Sequence, residues 1–149
     1  MINKANTVSD FMNKEHEYLD QLWAKFFDKN SLEIDETFFA DFKKRELEHI
    51  RFEDEFLFPA LNEYLGIAQD EGLASLARRD HGGIVKLLEM MERAMQIGEL
   101  DALEMSARNL DNILQAHRKR EQEIHYPVSD NFVSQDEWEN IIEKFNLVK

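Results

Sequence analysis

Two eleven-residue segments of this chain repeat each other, and the repeat limits the possible folds more than any other feature. It aligns residues 49–59 (HIRFEDEFLFP) without gaps on residues 117–127 (HRKREQEIHYP), so that the His, both Glu and the final Pro recur at an offset of 68 residues. The segment around His16 matches the segment around His81 in the same way, at an offset of 65. The chain is therefore expected to contain two related helical hairpins.

Helical periodicity predicts four long helices followed by a short one. Only five Gly and two Pro interrupt the 149 residues, and apolar residues recur every three or four positions, as on the buried face of a helix. Capping residues, glycines and prolines then set the helix ends, with Thr7 or Ser9 as the N-cap of the first helix and Leu65-Gly66 as the stop of the second. The predicted helices span about residues 7–28, 35–64 with a kink at Pro59, 69–96, 99–127 and 134–147, with a loop at residues 129–133.

The predicted architecture is an all-α fold, an antiparallel up-down four-helix bundle in a single domain of residues 1–149. Its two hairpins are residues 7–66 and 69–127. The C-terminal helix, residues 134–147, is expected to close one end or edge of the bundle, with Ser134 as its N-cap.

Charge and composition exclude several classes of function. The net charge of -13 opposes binding to nucleic acid or to an anionic membrane surface, because both would repel the protein. The basic runs at residues 43–45 and 118–120 are interpreted as solvated helix faces. Cysteine is absent, so any metal must use nitrogen and oxygen ligands. Neither a signal peptide nor a membrane-spanning run is recognisable, and a cytoplasmic location is expected.

Each of the four long helices carries one histidine on its predicted apolar face. A single such histidine is usually a core residue with one hydrogen bond. Four of them at repeat-related positions, two with a Glu one turn later, favour a metal site, because burying four imidazoles and two carboxylates without a cation would be costly. The candidate metal ligands are His16, His49, Glu53, His81, His117 and Glu121.

The spacing of these residues explains how they would bind metal. In H-x-x-x-E the two side chains lie on one helix face, about 6 Å apart along the axis. Two such pairs and two single histidines supply four nitrogens and two carboxylates, a set that suits two metal ions. Each carboxylate can bridge ions about 3.5 to 4 Å apart. Imidazole combined with carboxylate suits iron, and also manganese or zinc.

This pattern resembles the hemerythrin family, in the single-domain form called the HHE cation-binding domain. The six candidate residues match the family pattern of His, H-x-x-x-E, His and H-x-x-x-E over nearly the whole chain, and E-x-L-F-P at residues 55–59 is also typical. The resemblance implies a four-helix bundle around two iron ions with carboxylate bridges and an oxo or hydroxo bridge. Such a centre binds or responds to dioxygen, nitric oxide or peroxide.

One departure from the family pattern concerns oxygen carriage. Oxygen-carrying hemerythrins supply a fifth histidine one turn after the third-helix histidine, where this chain has Val85. Reversible oxygen carriage is therefore in doubt. Two further residues are candidates for an additional ligand or a supporting position: Asp20, the repeat counterpart of Val85, and His125, which replaces Leu57 of the other repeat.

Other interpretations of the pattern remain. A ferritin-like di-iron bundle needs two E-x-x-H motifs, and Glu46 with His49 supplies one, but Leu114 stands where the second needs Glu. Within the hemerythrin-like interpretation, a binding or sensing role in a monomer or homodimer is favoured. The alternative is a di-iron oxidoreductase that decomposes peroxide or reduces nitric oxide, or an iron donor for repair of iron centres. No role is assigned to Tyr18, Tyr64 and Tyr126.

Overall fold

The structure is a computed structural model that describes residues 7–148, so residues 1–6 and 149 of the predicted domain lie outside the described residues. The helices are α1 (Val8–Phe26), α2 (Phe39–Phe52), α3 (Phe58–Leu65), α4 (Gly72–Ile97), α5 (Leu100–Arg120), α6 (Tyr126–Phe132) and α7 (Gln135–Val148). A 3-10 turn, Glu36–Phe38, precedes α2. Two π-helical turns, Glu53–Leu57 and Glu121–His125, join α2 to α3 and α5 to α6. The prediction of an all-α fold is confirmed.

Two of the predicted helix starts are capped as the sequence indicates. The Asp10 backbone N–H donates to Thr7 Oγ1 over 3.1 Å, and the Asp10 carboxylate accepts from the Thr7 backbone. At α7, the Glu137 backbone N–H donates to Ser134 Oγ over 3.2 Å, while the Glu137 carboxylate accepts from the Ser134 backbone. These reciprocal bonds satisfy N–H groups that a helix start leaves unpaired. The predicted stop at Gly66 is also confirmed, since Gly66 has a φ of 69°.

Both prolines of the repeat lie in helical segments that continue past them. The predicted end of the fourth helix at Pro127 and the predicted loop at residues 129–133 are wrong, because α6 continues to Phe132. A proline nitrogen cannot donate to the carbonyl four residues earlier. The chain widens into a π turn before each proline, where Phe58 N–H donates to Glu53 O and Tyr126 N–H to Glu121 O. Each proline then occupies the first turn of a new α segment, where no N–H is needed.

The apolar core consists of two clusters of buried side chains on either side of the predicted metal-binding residues. On α1, Leu19 belongs to one cluster and Met12 to the other, and His16 lies between them along the helix. The order around His81 on α4 is the same. Helix α1 packs against α2 and α6, and α4 packs against α5. The C-terminal helix α7 extends the second cluster with Trp138, Ile141 and Ile142.

Hydropathy gives no sign of a transmembrane segment in the part of the chain that the structure describes. None of the helices between residues 7 and 148 combines the length and the apolar composition that a membrane span needs.

Candidate metal centre

The six predicted ligand residues converge between the two core clusters. The histidines come from α1, α2, α4 and α5, and both glutamates open the π turns that follow α2 and α5. Because an α-helix has 3.6 residues per turn, each Glu lies on the same helix face as the His four positions before it. The six buried residues that the structure brings together are His16, His49, Glu53, His81, His117 and Glu121.

Their nitrogen and oxygen atoms form two groups that share one carboxylate. The first group contains Glu53, His81, His117 and Glu121, and the second contains His16, His49 and Glu121. Within each group the potential ligand atoms lie within 4.8 Å of one another. The described residues thus offer two candidate groups of ligand atoms, which meet at Glu121.

Each carboxylate lies between two imidazoles from different helices. Glu53 Oε1 is 3.2 Å from both His49 Nε2 and His81 Nε2. Glu121 Oε1 is 3.0 Å from His117 Nε2 and 3.3 Å from His16 Nε2. The two repeats therefore contribute matching halves, and each glutamate connects its own helix to another one.

Within residues 7–148, several of these buried and closely spaced atoms have no hydrogen-bond partner. They are Glu53 Oε1, both carboxylate oxygens of Glu121, His81 Nε2 and His117 Nε2. Buried polar atoms almost always have a partner, and an unsatisfied one costs about 1 to 3 kcal/mol. A cation among lone pairs that point toward one another would satisfy all of them together. The residues present thus fit a metal ion.

The pKa values of the two buried glutamates shift in opposite directions. Burial and the neighbouring Glu53 carboxylate raise the pKa of Glu121 well above its usual range. Burial also opposes the charge of Glu53, but the nearby His49 imidazole holds the pKa of Glu53 well below its usual range. Two carboxylates this close do not both ionise unless positive charge compensates them. A metal ion bound between them would supply that charge in place of a shared proton.

Three of the four histidines are oriented by a polar group at their other ring nitrogen. Asp54 accepts from His81 Nδ1 over 2.8 Å, and Asp80 accepts from His117 Nδ1 over 2.9 Å. The side-chain amide of Gln122 lies 3.0 Å from His16 Nδ1. Such partners fix the ring orientation and direct Nε2 at a metal.

Sequence reasoning missed these supporting residues, although the repeat contains the signal. Asp54 directly follows Glu53, and its repeat counterpart Gln122 directly follows Glu121. Both occupy the residue after a candidate ligand and both support the single histidine of the opposite hairpin. A search for polar residues beside the ligands at equivalent repeat positions would have found this pair.

Comparison with known families agrees with this geometry. The chain matches the family model described as the hemerythrin HHE cation binding domain over residues 7–129. The chain belongs to this family. Neither the curated proteins nor the solved structures gave a significant match. The matched range of the hemerythrin HHE domain contains all six converging residues, and α7 lies beyond it.

Tyr126 is a further residue of this HHE domain that touches the centre. It is fully buried, its hydroxyl donates to Glu53 Oε2 over 2.8 Å and lies 2.9 Å from His16 Nε2. Its repeat counterpart Phe58 has no hydroxyl and stacks on His81 with ring centroids 6.1 Å apart. The hydroxyl therefore makes the two halves of the site chemically different, a role that sequence reasoning did not assign.

Asp20 does not join the cluster. Its side chain is 59% exposed and accepts from Arg118 Nε over 2.7 Å. The interpretation of residues 118–120 as a solvated face is wrong for Arg118, whose side chain is only 5% exposed. Burial of this guanidinium is possible because two counter-charges surround it, Asp20 and the buried Glu46, which lies 3.5 Å from Arg118 Nη2.

The other basic residues of these runs are paired or exposed. Arg120 and Lys43 make ion pairs with Asp80 and Glu92 from partly exposed positions. Arg45 pairs with Glu15 over 2.8 Å. The description as helix faces in contact with solvent therefore fits these residues better than it fits Arg118.

His125 lies inside the protein but outside both ligand groups. It is fully buried and its ring meets that of Phe58 edge to face, with centroids 6.0 Å apart. Within residues 7–148, neither of its ring nitrogens has a hydrogen-bond partner. Burial lowers the pKa of His125 to about 4, so the ring is neutral at pH 7.

Replacing His125 with Leu, the residue at the equivalent position 57, is expected to reduce the loss of stability in acid. The pKa of His125 is about 4 in the folded chain and 6.5 in the unfolded chain. This residue therefore does not lower the free energy of unfolding above pH 6.5, and it lowers it progressively as the pH falls from 6.5 to 4. This loss amounts to about 3 kcal/mol and should be absent from the variant. Urea unfolding of the two proteins, freed of metal with a chelator, at a series of pH values measures this loss of stability. Parallel pH curves for the two proteins would contradict the prediction.

Proposed function

We propose that this hemerythrin HHE domain holds two iron ions and uses them to bind or respond to dioxygen, nitric oxide or peroxide. The observation that carries the proposal is the pair of buried ligand groups joined through Glu121. His81 and His117 with both glutamates would hold one ion, and His16 and His49 with Glu121 would hold the other. Iron pairs bound in this way supply reversible electron transfer and open positions for small ligands.

The supporting residues of the chain fit this role. Asp54 and Asp80 keep Nδ1 of His81 and His117 protonated, so each Nε2 presents its lone pair to the centre. Nitrogen and oxygen ligands also accept manganese or zinc, and iron is the metal proposed because of the family resemblance. We further propose that the four long helices run alternately up and down around the centre, as in other bundles of this kind.

The position of Val85 favours small-ligand binding other than oxygen carriage. Val85 lies one turn after His81 and packs against an apolar cluster, so this turn provides no fifth imidazole. Without a fifth imidazole, one of the two ions would keep more coordination positions free for a small ligand. The Tyr126 hydroxyl at Glu53 Oε2 favours the second candidate, an oxidoreductase that decomposes peroxide or reduces nitric oxide, because it places a proton donor beside the centre.

Titration of the anaerobically iron-loaded protein with nitric oxide tests the proposal. We expect a new visible absorption band that saturates at a fixed ratio of ligand to protein, and repeated consumption of the gas with a reductant would indicate the oxidoreductase. His81→Leu should lose the band, whereas His125→Leu, which removes a buried histidine outside the ligand groups, should retain it. An iron-loaded protein without a spectral response, or equal responses from both variants, would contradict the proposal.

A further inference from the structure

A small apolar cavity opens beside one of the candidate ligands. It has a volume of about 70 Å³ and lies between α1, α2 and α7. His49 contributes to its wall, and the polar residues that line it, such as Glu15 and Asn146, are partly or fully exposed at its rim. Arg45 and Glu48, both partly exposed, also line the rim, and the apolar part of the wall is formed by Phe11, Met12, Phe52, Ile142 and Phe145.

His49 differs from the other three histidines of the centre in its surroundings. Those three have a polar partner at Nδ1, and for His117 the partner is Asp80. The repeat counterpart of Asp80 is Glu15, which pairs with Arg45 over 2.8 Å. The carboxylate that the repeat would place behind His49 is thus bound elsewhere, and His49 faces the cavity instead.

The outer wall of the cavity is a part of this chain that the family match does not cover. Ile142 and Phe145 belong to α7, whereas the match ends at residue 129. The ring of Phe145 also contacts those of Phe52 and Phe56, with centroids 5.1 Å and 5.5 Å away, so α7 packs firmly on this side. The family match therefore gives no account of this cavity.

The size and lining of the cavity select one chemical class of ligand. A water-sized molecule takes up about 30 Å³, so the cavity has room for one diatomic molecule and is smaller than the ~150 Å³ cavities that take benzene. Water needs two to four polar partners, which Glu15, Arg45, Glu48 and Asn146 offer at the exposed rim but the phenyl, isoleucine and methionine side chains of the inner wall do not. A small uncharged, weakly polar molecule fits these walls better than water or an anion.

We propose that this cavity binds dioxygen or nitric oxide beside His49 and delivers it to the metal centre, with α7 as the outer wall. This inference rests on the proposed function. Helix α7 thereby determines how readily a gas reaches the centre, and substitutions on α7 alter the rate of ligand binding without touching a metal ligand.

Xenon, which resembles these gases in size and polarity, tests the cavity without metal or turnover. In NMR spectra of the full chain under xenon pressure, the methyl signals of Met12 and Ile142 should shift with saturation. The methyl signals of Ile141, which is as buried as Ile142 but does not line the cavity, should not follow them. Equal shifts at Ile141 and Ile142, or no shifts, would overturn the proposal.

Rates of nitric oxide binding to the iron-loaded protein test delivery. Ile142→Phe, which fills the cavity, should slow binding about tenfold, and Ile142→Ala should not slow it, while both retain the iron content of the wild type. Ile141→Ala is the matched control and should bind at the wild-type rate. Iron-loaded variants with identical rates would overturn delivery and leave the proposed function intact. Xenon binding by a protein that takes up no metal would instead overturn the proposed function, and delivery with it.

Discussion

Chelating the metal from the loaded protein is expected to lower its free energy of unfolding by about 8 kcal/mol, when free metal is a thousandfold above the dissociation constant. Each of two ions contributes about 4 kcal/mol under that condition, because it binds the folded chain and not the unfolded one. Urea unfolding followed by circular dichroism, with metal and with excess chelator, measures the difference. Coincident unfolding curves would contradict a metal-binding centre.

The physical reason for so large an effect lies in the two buried glutamates. Without a cation, Glu53 and Glu121 are adjacent carboxylates, and among the described residues Glu53 Oε1 and both oxygens of Glu121 have no hydrogen-bond partner. Glu121→Ala removes the carboxylate shared by both ligand groups and should lose most of the difference between loaded and chelated protein. Glu123→Ala, which changes an exposed Glu in the same π turn, is the matched control and should keep it.

Arg118→Ile is expected to destabilise the chelated protein by about 3 to 5 kcal/mol, because it leaves Glu46 buried without a counter-charge. Arg108→Ile serves as control. Arg108 is 55% exposed and pairs with the nearby Glu104, so its loss should change stability by less than about 1 kcal/mol. Urea unfolding of the two variants and the wild type provides the comparison.

A second substitution should repair most of this damage. The repeat places Leu114 and Ile50 at the positions equivalent to Glu46 and Arg118, so the double variant Glu46→Leu with Arg118→Ile copies the apolar pair of the other half. Replacing a buried ion pair with apolar residues is often neutral. We expect the double variant to lie within about 1 kcal/mol of the wild type. Additive losses in the double variant would show that the two charges act independently.

The internal repeat predicted the core of the candidate site because it combines local spacing with symmetry. His49 and Glu53 lie on one helix face by helix geometry alone. The single histidines, His16 and His81, are predicted by their match to each other and by their place on apolar stripes. The helix cap at Ser134 was predictable for a similar reason, since a cap depends on only four consecutive residues, and the same rule limited the first cap to Thr7 or Ser9.

Features that depend on other helices escaped prediction. Arg118 looks like part of a solvated basic run, and only the neighbouring α2 shows that Glu46 meets it. Asp54 and Asp80 resemble ordinary acidic residues until α4 and α5 pack beside them. Proline often marks the end of a helix, yet the π turn before Pro127 lets the helix continue. For Arg118, Asp54 and Asp80, the residue that decides the role is distant in sequence. For Pro127, a proline permits either a helix end or a π turn.

The most direct test of the central claim is metal analysis of protein loaded anaerobically with ferrous iron and freed of excess metal. Elemental analysis together with protein quantification gives the number of ions bound to each chain. We expect about two in the wild type and in Glu123→Ala, and a loss of both in Glu121→Ala, because Glu121 belongs to both groups of potential ligand atoms. A wild-type chain without stoichiometric metal, or a Glu121→Ala variant that keeps its full metal content, would contradict the account.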